Sequence, residues 1–127
     1  MKNQEMIDRL HELPIEIENA SIKLIELTSD LHEKTSDLKK SEMEMKLEIA
    51  DALDANGKKL YSNAESREAA LVEKMRMDES VVELQKTIKT VETSIQKIKV
   101  KVELLSNEQR NIRAIMQFIA SGSTSNL

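Results

Sequence analysis

The chain has 127 residues with 33% charged side chains, two aromatics, three Gly and Pro residues in total, and no cysteine. Without aromatics there is little to line a small-molecule pocket, and without cysteine there is neither a disulfide framework nor a thiolate metal site. The net charge of −4 hides an asymmetry: residues 1–56 carry −7 and the remainder +3, which suits two helices lying side by side.

Leu, Ile, Lys, Glu and Ala with almost no breakers is the composition of long helices, so an all-α fold is expected. A heptad pattern begins at Leu10. Its a and d positions are Leu10, Leu13, Ile17, Ala20, Leu24, Leu27, Leu31, Lys34, Leu38, Ser41 and Met45, and the apolar stripe continues to Ile49 and Leu53. Pro14 interrupts it. Proline lacks the N–H that a helix interior needs but suits a first turn. A short helix over 1–13 and a long one over 14–53 are therefore expected.

The stretch 54–63 is the main break. Asn56-Gly57 marks a turn, because both residue types accept positive φ. Ser62 and Glu65 have capping-box spacing, which predicts the start of a helix there. That helix should occupy 64–120. Its a and d positions from Val81 through Ile119 are apolar at eleven of twelve places, Gln109 being the exception. The tail 121–127 has no periodicity and is expected to be mobile.

Two long helices joined by a ten-residue connection should lie antiparallel. The expected protomer is a coiled-coil-type helical hairpin whose facing residue numbers add to about 117. Met43 and Met45 would then lie beside Met75 and Met77, and the acidic first half along Lys86, Lys89, Lys97, Lys99 and Lys101. These lysines could alternatively follow a phosphate backbone, although no aromatics interleave to stack bases.

A hairpin has a single seam, so apolar residues off it matter. Ile15, Ile22 and Ile25 on the first helix, and Val100, Leu104, Ile115 and Phe118 on the second, fall in the half nearest the termini. A shared apolar patch there predicts either a homodimer completing a four-helix bundle or a docking surface for another protein. The connection offers a second contact region, with Asn56, Gly57, Lys58, Lys59, Tyr61 and Asn63, and Arg67 just beyond.

Nothing in the sequence suggests catalysis. His11 and His32 are far apart and belong to no metal-binding pair, and no phosphate loop or nucleophile motif occurs. No cofactor, metal, small-molecule substrate or membrane contact is expected, because no apolar run of membrane length or signal-type segment is found.

The loop and its flanks, Leu-Glu-Ile-Ala-Asp-Ala-Leu-Asp-Ala-Asn-Gly-Lys-Lys-Leu-Tyr-Ser-Asn-Ala-Glu-Ser-Arg at 47–67, resemble small coiled-coil proteins encoded by phages and prophages of Gram-positive bacteria. Met77-Asp78, Leu84-Gln85 and the run from Glu103 to Met116 fit the same family, so the resemblance covers roughly 47–119. In that family a proline often replaces Lys59, which implies a less rigid loop here. The resemblance implies an early or accessory phage protein in the cytoplasm of a bacterial host. Proteins of this kind commonly bind a host or phage protein; blocking a host defence or nucleic-acid-processing factor, assisting phage DNA replication or recombination, and serving as a structural scaffold all remain open.

Overall fold

A computed structural model describes residues 2–122. The protein is all-α, with three helices: α1 (Asn3–Asp51), α2 (Ala64–Met77) and α3 (Glu79–Ala120). The long helices α1 and α3 pack as an antiparallel pair. Two compact units divide the chain. Unit 1 comprises Met1–Thr28 and Thr93–Leu127; unit 2 comprises Ser29–Glu92.

The seam follows the heptads. All twelve a and d positions of α3 from Val81 to Ile119 are withdrawn from solvent. Val81, Val91, Ile95, Leu105 and Ile112 are buried, and the others are half-buried. This partial burial is what a two-helix contact delivers, because each seam residue is covered from one direction only. In unit 1, Met6, Leu13, Leu105 and Ile112 form the core, with Leu10, Ile17, Met116 and Ile119 packed against it. In unit 2, Ile49, Leu71, Val81 and Val91 are buried. Lys34, a cation at a seam position, is half-buried; its ammonium turns to Asp30 at 2.8 Å, which raises its pKa.

Four local expectations need correction. Pro14 does not separate a 1–13 helix from a 14–53 helix, since α1 runs unbroken from Asn3 to Asp51. Proline in a helix interior costs about 3 kcal/mol. Here the ring is exposed, while Leu13 beside it is the most deeply buried side chain, so seam burial on both sides of the proline outweighs the lost hydrogen bond. Second, the helix expected over 64–120 is divided at Asp78, which is extended (φ −89°, ψ 110°). The Asp78 carboxylate accepts from the Val81 N–H at 3.0 Å and caps α3. Third, the cap of α2 is Asn63 rather than Ser62. Asn63 accepts from the Ser66 N–H at 2.7 Å while the Ser66 hydroxyl accepts from the Asn63 N–H at 3.3 Å. Fourth, the methionines do not gather as four. Met45 and Met77 line one recess with Lys74, but Met43 lies at an outer heptad position and is exposed. The expected tail beyond Gly122 lies outside the described residues.

The seam generates a direct contrast. Leu13 is 0% exposed and Ile25 is 69% exposed. Leu13→Ala should cost about 2–5 kcal/mol, and Ile25→Ala should stay within about 0.5 kcal/mol. Urea unfolding followed by far-UV circular dichroism measures both.

Candidate functional site

Three surfaces compete: the connection between α1 and α2, the off-seam apolar residues of unit 1, and the lysines of α3. The connection is a built loop rather than a slack one. The Asp54 carboxylate accepts from the N–H groups of Asn56 (2.8 Å) and Lys58 (3.0 Å), folding the chain around itself. The Asp54 N–H donates to the Lys58 carbonyl at 2.7 Å and the Leu60 N–H to the Ala52 carbonyl at 2.9 Å, with Leu53 and Lys59 bridged antiparallel. The result is a miniature hairpin. At its turn Gly57 has φ +75°, while Asn56 does not need positive φ. A Cβ at Gly57 would meet open space, so only the backbone conformation demands glycine.

This loop sorts the seven expected tip residues. Gly57 sets the turn and Asn63 caps α2. Arg67 donates to the Tyr61 carbonyl at 3.4 Å. Tyr61 is half-buried against a recess lined by Ala69, Ala70 and Met77. Asn56, Lys58 and Lys59 are left pointing outward. Leu53 (59% exposed) and Leu60 (52% exposed) join them on the two arms of the loop. Sequence reasoning missed both leucines, having assigned Leu53 to the seam. The signal was present in Asp54, whose position before Asn-Gly starts the turn one residue beyond Leu53. No hydrogen bond uses the Lys59 N–H among the described residues.

Behind the loop, Ile49, Ala50, Ala64 and Leu71 line a recess of about 330 Å³, opened by the two small alanines and rimmed by Lys46, Arg67 and Glu68. No cluster of His, Asp and Glu able to hold a metal occurs among the described residues.

All seven off-seam apolar residues expected in unit 1 are exposed. They do not, however, form one patch. Arg9 and Glu108 both occupy heptad position g, and Arg9 grips Glu108 with two hydrogen bonds of 2.7 and 2.8 Å. An antiparallel pair places g opposite g on one side and e opposite e on the other. Ile15 and Ile22 at f, with Ile25 at b, lean toward the e side of α1. Leu104 and Phe118 at c, with Ile115 at g, lean toward the g side of α3, and Val100 at f continues their row. The expected shared patch is two stripes on opposite sides of the pair.

Arg9 also pairs with Glu12 at 3.2 Å and with Glu16. Three carboxylates around one guanidinium raise its pKa, the bond to Glu108 contributing most. The same bond holds the Glu108 carboxyl below the usual carboxylate range.

The lysines of α3 do not balance acidic α1. Lys86, Lys89, Lys97, Lys99 and Lys101 are exposed, and none makes an ion pair among the described residues. Nor do they form a single stripe, since they occupy heptad positions f, b, c, e and g. No described helix is long and apolar enough to cross a membrane. No family model, curated protein or solved structure matches the chain.

The Arg9–Glu108 grip has a pH signature. Because the folded Glu108 carboxyl is depressed, its contribution is fully present above the ordinary carboxylate pKa and is lost as pH falls through the depressed value. Glu108→Gln should cost about 1 kcal/mol at pH 7, the upper end for partly exposed pairs. That difference from wild type should shrink as pH falls through the depressed Glu108 value, as measured by urea unfolding at each pH.

Proposed function

We propose that the chain is a non-enzymatic interaction protein that binds another protein through the loop at 52–63, and that it works as a homodimer. The observation carrying this reading is the Asp54-centred loop. Reversing the chain would take only a few flexible residues; here a set of hydrogen bonds fixes the loop, including the two that the Asp54 carboxylate accepts. Fixing a loop in advance lowers the conformational cost of binding. What it presents is Leu53 and Leu60 beside Lys58 and Lys59, which have no ion-pair partner among the described residues. The fitting partner surface is a small apolar contact rimmed by carboxylates.

The resemblance to phage and prophage coiled-coil proteins supports a host protein as the partner, whose activity the bound chain would modulate or block. A scaffold role would not need a prepared loop of this kind. In the test, tagged protein captures partners from a Gram-positive host lysate. Leu53→Ser/Leu60→Ser and Lys58→Glu/Lys59→Glu variants should each lose the partner by at least tenfold, with helicity unchanged. Capture that survives both variants removes the loop from consideration.

Direct DNA binding is a second reading, favoured by the five unpaired lysines of α3. It predicts that affinity for duplex DNA falls about 10²–10³-fold between 50 and 200 mM salt, if all five contact phosphates. Fluorescence anisotropy measures this. Their scatter around the helix argues for a flat, weak response and no effect of Lys97→Glu/Lys99→Glu/Lys101→Glu on partner capture.

A further inference from the structure

The outer face of α3 in unit 1 carries a second heptad row whose residue types are symmetric about its middle. Val100, Leu104, Asn107, Asn111, Ala114 and Phe118 are separated by four, three, four, three and four residues. Reversing the order leaves both the spacing and the chemistry unchanged: two apolar residues, two asparagines, two apolar residues. The row lies opposite the seam, and Val100, Leu104 and Phe118 are each more than half exposed.

An isologous contact requires this self-complementarity, because residue i meets residue j and j meets i. We propose that a second copy of this chain covers the row, its α3 running antiparallel about a twofold axis beside residue 109. Val100 then meets the partner's Phe118, Leu104 the partner's Ala114, and Asn107 the partner's Asn111. Large side chains face smaller ones, as interdigitating layers need. The asparagines form two amide pairs around the axis, where a polar layer fixes register at some cost in stability. Arg110 donates to the Asn107 side chain within its own chain.

Lys97 bears on the direction. Lys97 stands three residues before Val100 and is the next position of the row. In a parallel pair Lys97 would meet its own copy; in the antiparallel pair it meets the partner's Ser121. On one flank the two Glu108 carboxylates approach each other, and each is already gripped by Arg9 of its own chain. On the other flank Arg110 approaches the partner's Arg110, a like-charge contact that keeps the dimer reversible. The helices of unit 1 would lie in the order α1, α3, α3, α1, a layer rather than the square bundle expected from a shared patch. The stripe of Ile15, Ile22 and Ile25 lacks this symmetry and stays outside the interface.

The inference rests on the homodimer reading, and one set of measurements separates the two. Sedimentation of the full chain from 1 to 300 μM should show a monomer–dimer equilibrium. Leu104→Glu should weaken it at least tenfold, Ile22→Glu should leave it unchanged, and Arg110→Gln should tighten it several-fold. Because the chain has no cysteine, Asn107→Cys and Asn111→Cys chains of distinguishable mass can be mixed and oxidised, and the mixed disulfide should dominate. A monomer throughout the range overturns both the dimer and this interface. A dimer that ignores Leu104→Glu, that Ile22→Glu abolishes, or whose two cysteine chains each crosslink mainly to themselves overturns the interface and leaves the dimer standing.

Discussion

The constraint on which most of this protein depends is a seam shared by two long helices, α1 and α3. Full burial of a Leu or Ile stabilises by about 1.5–3 kcal/mol, yet most seam positions here are half-buried and yield a fraction of that. Ordering each residue costs about 1–2 kcal/mol of backbone entropy. A longer seam adds contacts and ordered residues in the same proportion, so length does not relieve the deficit. Extra burial has to come from another surface, which is why apolar residues off the seam carry more meaning here than in a globular domain.

The polar residues do complementary work at the ends of the helices. Asp54, Asn63 and Asp78 each accept hydrogen bonds from backbone N–H groups where the chain changes course. Each supplies partners that a helix terminus or turn would otherwise lack. Pro14 shows the reverse case. It is the strongest breaker in the chain by composition, yet it breaks nothing, because the flanking seam residues hold the helix on both sides.

The seam was legible because a period-3.5 apolar pattern specifies one face of a helix irrespective of its partner. The turn was legible from Asn56-Gly57, and the exposure of the seven off-seam residues followed from the same heptad count. Other features were hidden for identifiable reasons. The break at Asp78 takes a single residue and involves neither Gly nor Pro, so composition gives no sign of it. Ser62 with Glu65 and Asn63 with Ser66 have the same capping spacing, and local sequence does not choose between them. Net charge misled about the α3 lysines, since a balance of totals says nothing about which groups meet. The opposite placement of the two apolar stripes needed one structural fact, the contact between Arg9 and Glu108, to fix which flank faces which.

The two proposed surfaces differ in a way that assigns them different partners. The α3 row reads the same in both directions, a property useful only against its own copy. The loop has no such symmetry: a carboxylate is spent internally, the glycine and cap are spent on shape, and the outward residues are two leucines and two lysines. A face built this way gains nothing from meeting itself, because the lysines would oppose one another. Its chemistry is satisfied by a different protein with carboxylates around an apolar spot. The proposed self-association and the proposed foreign recognition therefore fall on different units of the chain, each on residues that the seam leaves uncommitted.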